Sequence, residues 1–567
     1  MSRKWCFTAS AIVARGKAAI RLAELKFMGK RGRPGQKKPS SRSKPSALLS
    51  SAERLRRKAL ELLTQQQFPP ALEALDTLIE SGQACVDDYC LAGKTLLSMR
   101  EFAQAAMALE DGLRLDREHE ESRFSLAATL FQLGDVSAAV RHFQWVADRY
   151  NNPEARLNLA TIAPGCPEVD HQRLLEIRRT FAQSLPSDSD TEVILRARSA
   201  DGRLRVGYIS AFFHRSNYMK PVWGLINGHD RSQFEIHLFA DDTHERGLEW
   251  FKPGSRDQIH LTQTMSNREL ATLIRQQQLD ILVDLNGYSA ASRLEIFMSR
   301  LAPVTATWFN MYATSGLAGI DWIIGDDFVI RPEEEQYYSE KICRLPQSYL
   351  SFVVAHHAPD VVPPPCLGTR KITFGSLVSQ YKITPVVLDV WSEILKRCPD
   401  SRLILGNRSL AKTANRDYVV RQFQHRGVEQ GRVQLLPPAD HFEFLKYYDQ
   451  IDIALDSFPY NGGTTTTEAI WQGVPVLTFD GDRWASRTSR TLLMNCHLNE
   501  FVASSVTDYV DQAVRWATNP EAPQQLSRLR AEMRSSLLKA PVCQIDTMVK
   551  SMEATYLQLF EAVAKTR

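Results

Sequence analysis

The sequence lacks any apolar run that approaches the ~18 residues of a membrane-spanning helix. It also lacks Cys-x-x-Cys pairs: its nine cysteines are odd in number and scattered over 567 residues. This spacing excludes a disulfide framework and the common zinc sites, and it is typical of a reducing compartment, so we expect a cytoplasmic protein. No compositional bias is present, since 44% of the residues are hydrophobic and 24% are charged. The length predicts three or four globular domains.

Acidic residues are almost absent from the first 47 positions, which hold 13 Lys and Arg against Glu24 alone. This segment carries +12 in a chain of net charge +4, so the remaining 520 residues carry −8. Its mixture of Pro, Ser, Lys and Arg buries too little apolar surface to fold, which predicts a basic disordered tail over 1–47. Nucleic-acid binding by the basic stretch 30–34 is the alternative. An amphipathic helix or transit peptide over 8–27, or a start at Met28, also stays open.

A repeat with a period of 34 residues starts near position 52. Small residues recur where two helices would cross closely, and large apolar residues recur where they would fill the groove between helices. The positions in register are Ala59, Gly93 and Ala127; Ala71, Ala105 and Ala139; Leu62, Leu96 and Leu130; Leu75, Leu109 and Phe143; and Phe68, Phe102 and Val136. The pattern resembles tetratricopeptide repeats, which are paired antiparallel helices.

We therefore predict three repeat units and the start of a fourth over 48–165, with Pro153 stopping a helix. Such an array either offers a concave surface to a peptide or only packs against the next domain. A linker over 166–200 follows, with one predicted helix at 171–181.

Short apolar strands then alternate with helical stretches, which predicts parallel sheets with helices on both faces. We expect two such halves, over 201–367 and 368–540, joined by a proline-rich hinge at 359–369. The predicted strands are 204–210, 234–240, 281–285, 304–309 and 322–325, then 372–376, 402–405, 433–436, 453–456 and 474–478. The fold class is thus two Rossmann-like, doubly wound α/β halves preceded by an all-α repeat array. Ligands of such sheets bind beyond the carboxyl ends of the strands, so we expect a site in the cleft between the halves.

The stretch LDSFPYNGGTTTTEAIWQG lies between a predicted strand and a predicted helix. At a helix N-terminus the backbone N–H groups are unpaired and the helix dipole is positive. Gly462 and Gly463 let the backbone approach a ligand, Thr464 and Thr465 add hydroxyl donors, and Glu468 lies where it would accept from ribose hydroxyls. This pattern predicts a diphosphate site. A threonine-rich helix cap without a ligand is the alternative.

Several long segments resemble the O-linked N-acetylglucosamine transferase and SPINDLY family. They are LRVGYIS, ILVDLNGY, TSGLAGIDWIIGDDFVIRPEEEQYYSEKICRLPQSYL, FGSLVSQYKITP, DIALDSFPYNGG and NGGTTTTEAIWQGVPVLTFDGDRWASRTSRTLL. The resemblance implies a GT-B fold and an inverting glycosyltransferase with a UDP-sugar donor, a protein acceptor and no metal or other cofactor. It also implies that a last helix, within 541–567, crosses back to the first half.

The resemblance also assigns roles to single residues. Lys382 matches the lysine on the phosphate, where a cation would stabilise the UDP leaving group. His214 matches the family's histidine near the sugar and the acceptor. His441 matches the family's histidine that lies on the uracil. The expected catalytic residues are Lys382 and His214, and the expected nucleotide-sugar residues are Ser379, His441, Asn461, Gly462, Gly463, Thr464, Thr465 and Glu468.

The sequence departs from the family pattern in three places. The loop before Arg215 is shorter and lacks the proline of the family's His-Pro, Gly-Tyr-Pro-Gly becomes Asn-Met-Tyr-Ala at 310–313, and Phe-Asn-Asn or Phe-Asn-Gln becomes Leu-Val-Ser at 377–379. The last two changes fall where the donor sugar and the lysine loop are read. We expect transfer of N-acetylglucosamine to serine and threonine hydroxyls of proteins. The alternatives are transfer of fucose or glucose, transfer to asparagine or a glycan, and a repeat-bearing nucleotide-binding scaffold with little turnover.

Overall fold

The computed structural model describes residues 50–186, 202–215, 217–241, 248–352, 354 and 356–566. The predicted tail over 1–47 and the second part of the predicted linker, 187–200, lie outside the described residues. The chain divides into two compact units. The first extends to Ala155 and includes Lys412–Tyr418, and the second comprises Arg156–Ala411 and Val419–Arg567. Within the described ranges, no helix is long and apolar enough to cross a membrane.

The first unit is an array of helices joined by short turns. Its helices are α1 (Ser51–Thr64), α2 (Phe68–Glu80), α3 (Val86–Ser98), α4 (Phe102–Leu115), α5 (Glu120–Leu133) and α6 (Val136–Tyr150), and α7 (Pro153–Ile162) continues into the second unit. The recurring alanines are fully buried where helices meet: Ala59, Ala71, Ala105, Ala127 and Ala139. A Cβ added to Gly93 would lie 2.4 Å from Cγ of Leu109. The helical repeat predicted from the 34-residue period is confirmed.

The prediction that Pro153 stops a helix is wrong. Helix α6 already ends at Tyr150, and Asn151 takes the left-handed conformation with φ of 52°. Pro153 is instead the first residue of α7. A proline fits there because the N–H of a first-turn residue has no partner within its own helix, so its absence costs nothing.

The first α/β half follows helix α8 (His171–Gln183) and contains a seven-stranded parallel sheet. Its strands are β1 (Leu204–Ser210), β2 (Phe234–Ala240), β3 (Gln258–Leu261), β4 (Ile281–Asp284), β5 (Val304–Trp308), β6 (Trp322–Asp326) and β7 (Lys341–Leu345), in the order β3-β2-β1-β4-β5-β6-β7. Helices α9 (Lys220–Gly228) and α10 (Asn267–Gln276) lie between strands. The sequence did not predict β3 and β7, the two edge strands, because edge strands are short and carry charged or polar residues.

The second half contains a six-stranded parallel sheet in the order β10-β9-β8-β11-β12-β13. Its strands are β8 (Thr373–Ser376), β9 (Arg402–Gly406), β10 (Val433–Leu436), β11 (Ile453–Leu455), β12 (Val476–Phe479) and β13 (Val502–Ala503). Its helices are α11 (Cys366–Thr369), α12 (Pro385–Arg397), α13 (Thr413–His425), α14 (His441–Leu445), α15 (Thr464–Trp471), α16 (Thr488–Met494), α17 (Val506–Thr518) and α18 (Ala522–Leu537). The two-residue strand β13 was not predicted.

Buried polar contacts join the two halves, both of which belong to the second unit apart from the start of α13. Arg487 donates to the two carboxylate oxygens of Glu334 at 2.8 Å and 2.6 Å. Thr491 donates its hydroxyl to Asp326 at 2.6 Å. The residues of each pair come from different halves, so these hydrogen bonds link the halves directly.

The last helix, α19 (Ile545–Thr566), packs on the first half, as expected. The hydroxyl groups of Tyr556 and Tyr208 lie 3.0 Å apart in the core. The N–H of Asp230 donates to the carboxylate of Glu553 at 2.7 Å. A Cβ added to Gly228 would lie 2.5 Å from Val549, so the helix approaches the backbone of the first half closely. Two Rossmann-like halves with a returning C-terminal helix are the GT-B architecture.

Candidate active site

The loop after β11 is folded around a buried carboxylate. Asp456 accepts hydrogen bonds from the N–H groups of Ser457 (2.9 Å) and Gly462 (2.8 Å) and from the hydroxyl of Thr478 (2.9 Å). Burial raises the pKa of Asp456, against the lowering effect of its hydrogen-bond donors. A Cβ added to Gly462 would lie 2.6 Å from the hydroxyl of Thr465. Only glycine therefore fits at 462 without a shift of its neighbours.

This loop leads into helix α15, whose first turn faces the cleft. Gly463 is the N-cap residue, and no side chain caps the helix. Thr464 and Thr465 are half-buried, whereas Thr466 is buried and its hydroxyl contacts that of Ser489 at 2.8 Å. The first-turn N–H groups of an uncapped helix bind anions through their unpaired hydrogens and the positive dipole end. The structure thus places the predicted Gly463, Thr464 and Thr465 at an uncapped helix N-terminus.

Lys382 reaches the same loop from the turn that follows β8. Its Nζ donates to the carbonyl oxygen of Asn461 at 2.5 Å and lies 4.1 Å from the ring centre of Tyr460. Burial lowers the pKa of Lys382 to about 8, and the charge of Asp456 opposes this shift. The predicted pair of a lysine and the 461–465 segment is therefore adjacent in space, although 79 positions separate Lys382 from Asn461.

Glu468, one turn into α15, lies in a polar cluster that spans both halves. It is 4% exposed, and its Oε1 lies 2.9 Å from Nε2 of His441 and accepts from Nδ2 of Asn217 at 2.8 Å. Burial acts to raise the pKa of Glu468, but the hydrogen bond with His441 and the charge of Lys220 lower it overall. The sequence predicted that Glu468 accepts hydrogen bonds from a ribose and that His441 lies on a uracil. In this structure the two side chains contact each other.

The other two predicted residues have different surroundings. His214 lies in the loop after β1, and its Nε2 accepts from Nε of Arg215 at 3.2 Å. Ser379 is exposed at the start of the Lys382 turn, and its carbonyl oxygen accepts from the N–H of Lys382 at 3.0 Å. Ser379 therefore shapes the lysine turn through its backbone in this structure.

Sequence reasoning missed four residues near the site. Asn217 and Lys220 contact or face Glu468 from the first half. Nζ of Lys382 lies over the ring of Tyr460, and the ring of Tyr312, from the first half, meets that of Tyr460 edge to face. Tyr460 lies within the stretch that the sequence singled out, and Tyr312 lies in the departure at 310–313. Neither position had a motif that assigns a role to a tyrosine.

Asp480 and Asp482 have the Asp-x-Asp spacing of a metal-binding motif, which the sequence reading also missed. Their carboxylates are engaged by arginines. Asp480 pairs with Arg331 at 2.7 Å and Arg490 at 3.2 Å, and Asp482 pairs with Arg483 at 2.6 Å. Carboxylates that neutralise guanidinium groups are poor metal ligands.

The site gathers groups that favour negative charge. A helix N-terminus and one lysine supply positive charge for two phosphates, and a carboxylate–imidazole pair lies one helical turn further along. These groups are supplied by loops at the carboxyl ends of parallel strands, where α/β sheets bind ligands.

Comparison with known proteins gives a consistent result. The model of Glycosyl transferase family 41 matches residues 190–360 and 366–552. A curated relative from Hordeum vulgare, "Probable UDP-N-acetylglucosamine–peptide N-acetylglucosaminyltransferase SPINDLY", is 31% identical over 375 residues, which are 64% of this chain and 38% of the relative. The protein of the same name from Oryza sativa subsp. japonica is 32% identical over 64% of this chain and 39% of its own length. The chain thus spans about two-fifths of the length of these relatives.

Among solved structures, a mutant of the Thermobaculum terrenum O-GlcNAc transferase superposes with a TM-score of 0.76 at 25% identity. The match covers 91% of this chain and 98% of the other. It therefore includes the repeat helices as well as both α/β halves.

Proposed function

The chain belongs to glycosyl transferase family 41, and on this premise we propose that it transfers N-acetylglucosamine from UDP-N-acetylglucosamine to serine and threonine hydroxyls of proteins. The chain is a glycosyltransferase by its family and its fold. The names of its relatives, which are peptide N-acetylglucosaminyltransferases, support this donor and acceptor.

One observation carries the proposal: the ammonium of Lys382 lies against the backbone of Asn461, directly before the uncapped N-terminus of α15. In glycosyl transfer the bond between the anomeric carbon and the β-phosphate oxygen breaks, and its electron pair stays on the UDP. A cation and a set of oriented N–H groups at that oxygen stabilise the transition state, because the charge there grows as the bond breaks.

The acceptor hydroxyl attacks the anomeric carbon from the face opposite UDP, which inverts the configuration. The new bond joins the hydroxyl oxygen to the sugar, and the hydroxyl proton leaves to a donor phosphate oxygen or to water. We assign His214 to the sugar and acceptor side, where an imidazole can orient the sugar or pass on a proton. Thr464 and Thr465 would bind the diphosphate with the first-turn N–H groups of α15.

The nucleoside would take over contacts that the protein makes within itself. We assign His441 to the uracil and Glu468 to the ribose hydroxyls. Glu468 keeps its negative charge because its pKa is lowered, so it can accept two hydrogen bonds from a ribose. Asn217 would have to give up one of its bonds to Glu468 or His441 when the nucleotide enters.

We further propose that the reaction needs no metal, since Lys382 and the helix N-terminus supply the positive charge that a divalent cation supplies elsewhere. Transfer that persists in excess chelator supports this, and restoration by magnesium or manganese contradicts it.

We also place the enzyme in the cytoplasm, because the eight cysteines in the described ranges are all free thiols, as in reducing compartments. Cell fractionation tests this placement.

The acceptor peptide is proposed to lie along the repeat helices of the first unit, as peptides do on other repeat arrays.

The basic tail over 1–47 is expected to take no part in transfer, and nucleic-acid binding by it is the alternative. Removal of residues 1–47 separates these roles: transfer to protein acceptors should persist.

A different donor is the second candidate, because Tyr312 replaces the proline of the family's Gly-Tyr-Pro-Gly and reaches the lysine site through Tyr460. The test is a donor screen of the full chain with UDP-N-acetylglucosamine, UDP-glucose and GDP-fucose, a cell lysate and intact-protein mass spectrometry. A mass increase of one N-acetylhexosamine on Ser or Thr supports the proposal. Modification of Asn or of a glycan would show that the acceptor is not a Ser or Thr hydroxyl. UDP binding without transfer of any sugar supports the scaffold alternative.

A further inference from the structure

The loop that carries Tyr312 has an unusual backbone. Phe309 and Tyr312 have φ values of 73° and 58°, in the left-handed region that bulky side chains rarely adopt. Such a conformation persists only where the surroundings impose it, and it is most frequent at functional sites.

The surroundings do impose it. The buried guanidinium of Arg178 donates to the carbonyl oxygens of Thr314 at 2.6 Å and Met311 at 3.3 Å. Asn310 donates to the carbonyl oxygen of Asn286 at 2.8 Å, and Glu340 accepts from the N–H of Ser315 at 2.6 Å. The loop is therefore held on both sides of Tyr312, and the direction of its side chain is set by buried contacts.

That direction leads across the cleft to the lysine site. The rings of Tyr312 and Tyr460 meet edge to face with centroids 5.2 Å apart. The ring of Tyr460 in turn carries Nζ of Lys382 at 4.1 Å. Lys382 is half-buried, and a cation over an aromatic face is held more tightly the less water reaches it.

We propose that Tyr312 is a positioning residue, which holds the ring of Tyr460 across the cleft and thereby fixes the ammonium of Lys382 where the donor diphosphate binds. The inference rests on the proposed function, because it assigns Lys382 to the diphosphate. It adds a contact from the first half to a cation of the second half, so the lysine is in place only when the halves are in their present arrangement.

The tyrosine pair also covers one side of the half-buried Lys382 ammonium. The groups that face this ammonium are the ring of Tyr460, the carbonyl of Asn461 and the buried carboxylate of Asp456, with the ring of Tyr381 beside Tyr460. Truncation of Tyr312 opens a path for solvent to this pocket. The pKa of Lys382, which burial lowers to about 8, should then rise toward the ordinary lysine value of 10.5.

The experiment is calorimetry of UDP binding to the full chain as a function of pH. Wild type should bind UDP more weakly as pH rises through about 8, because Lys382 loses its charge there. Tyr312→Ala should lower the affinity below that pH and move the decline to higher pH. Tyr312→Leu keeps an apolar side chain but removes the ring that meets Tyr460, and we expect it to weaken UDP binding by roughly 2- to 10-fold, the effect of one lost aromatic pair.

The matched control is Tyr556→Leu, which removes the ring of another fully buried tyrosine, on helix α19, together with its hydrogen bond to Tyr208. It should leave UDP affinity and its pH dependence as in wild type. If wild type does not bind UDP, the proposed function fails. If wild type binds and Tyr312→Leu matches the control, the role of Tyr312 is refuted, and this variant decides even where Tyr312→Ala does not fold.

Discussion

The ion pair between Arg487 and Glu334 gives a sharp prediction about what holds the two α/β halves together. Arg487 is fully buried and Glu334 is 6% exposed. Their two hydrogen bonds of 2.8 Å and 2.6 Å form a bidentate contact between the halves. The perturbation is Arg487→Met, which keeps an unbranched side chain of similar length and removes the charge.

The expected loss of stability follows from the contacts that Glu334 keeps when Arg487 is replaced. Without Arg487, the carboxylate retains the N–H of Arg331 at 3.3 Å and His171 at 3.7 Å. These contacts do not offset a buried negative charge, and removal of one partner of a buried ion pair costs about 3–5 kcal/mol. The double variant Arg487→Met with Glu334→Gln should lose less than Arg487→Met alone, because it leaves no unpaired charge in the core.

The assay is urea unfolding of the full chain, followed by the transition in which the α/β halves melt. The control is Arg397→Met, which breaks an exposed ion pair with Asp511 of 2.8 Å. Since both partners of that pair are about two-fifths exposed, its loss should change stability by less than about 1 kcal/mol. If Arg487→Met loses no more than Arg397→Met, or the double variant loses more than the single, the buried pair does not hold the halves as described.

Three further predictions concern the site and the repeats. The kcat/KM for transfer should fall as pH rises through about 8, because burial lowers the pKa of Lys382 and the neutral amine cannot offset phosphate charge; a profile that stays flat well above this pH contradicts it. Asn217→Ala should tighten UDP binding by roughly 2- to 5-fold in calorimetry, since it removes a donor that competes for Glu468; weaker binding contradicts the competition. Ala105→Leu should destabilise the repeat helices by about 1–3 kcal/mol through overpacking, whereas Leu at the exposed Gln104 should change their unfolding free energy by less than about 0.5 kcal/mol.

The repeats and the central strands could be predicted from the sequence because their patterns are local. A 34-residue period places alanines at 59, 71, 105, 127 and 139 without knowledge of the fold. Strands such as β1 and β5 are short, β-branched and aromatic-rich runs that are buried almost throughout, as expected for strands covered on both faces. The edge strand β3 escaped prediction because three of its four residues are exposed, so no apolar pattern marks it.

The candidate site could be predicted only where neighbours in sequence are neighbours in space. The segment 461–468 is one loop and one helix start, so its chemistry could be read directly. The proximity of Lys382 to Asn461 could be predicted only from the family resemblance, because the two residues lie in loops that follow different strands. The contacts of Asn217 with Glu468 and of Tyr312 with Tyr460 join the two halves of the fold, and no local pattern encodes such pairs.

The most direct test of a charge-stabilising donor site is calorimetry of UDP with the full chain and with Lys382→Met, below pH 8. Binding by wild type, with a loss of at least tenfold in affinity and a loss of transfer of about 10²–10³ in the variant, is the predicted result for removal of a group that stabilises developing charge. Exposed Lys396→Met, on the surface of α12, should behave as wild type. No heat with UDP, or equal affinity and transfer in wild type and Lys382→Met, would contradict it.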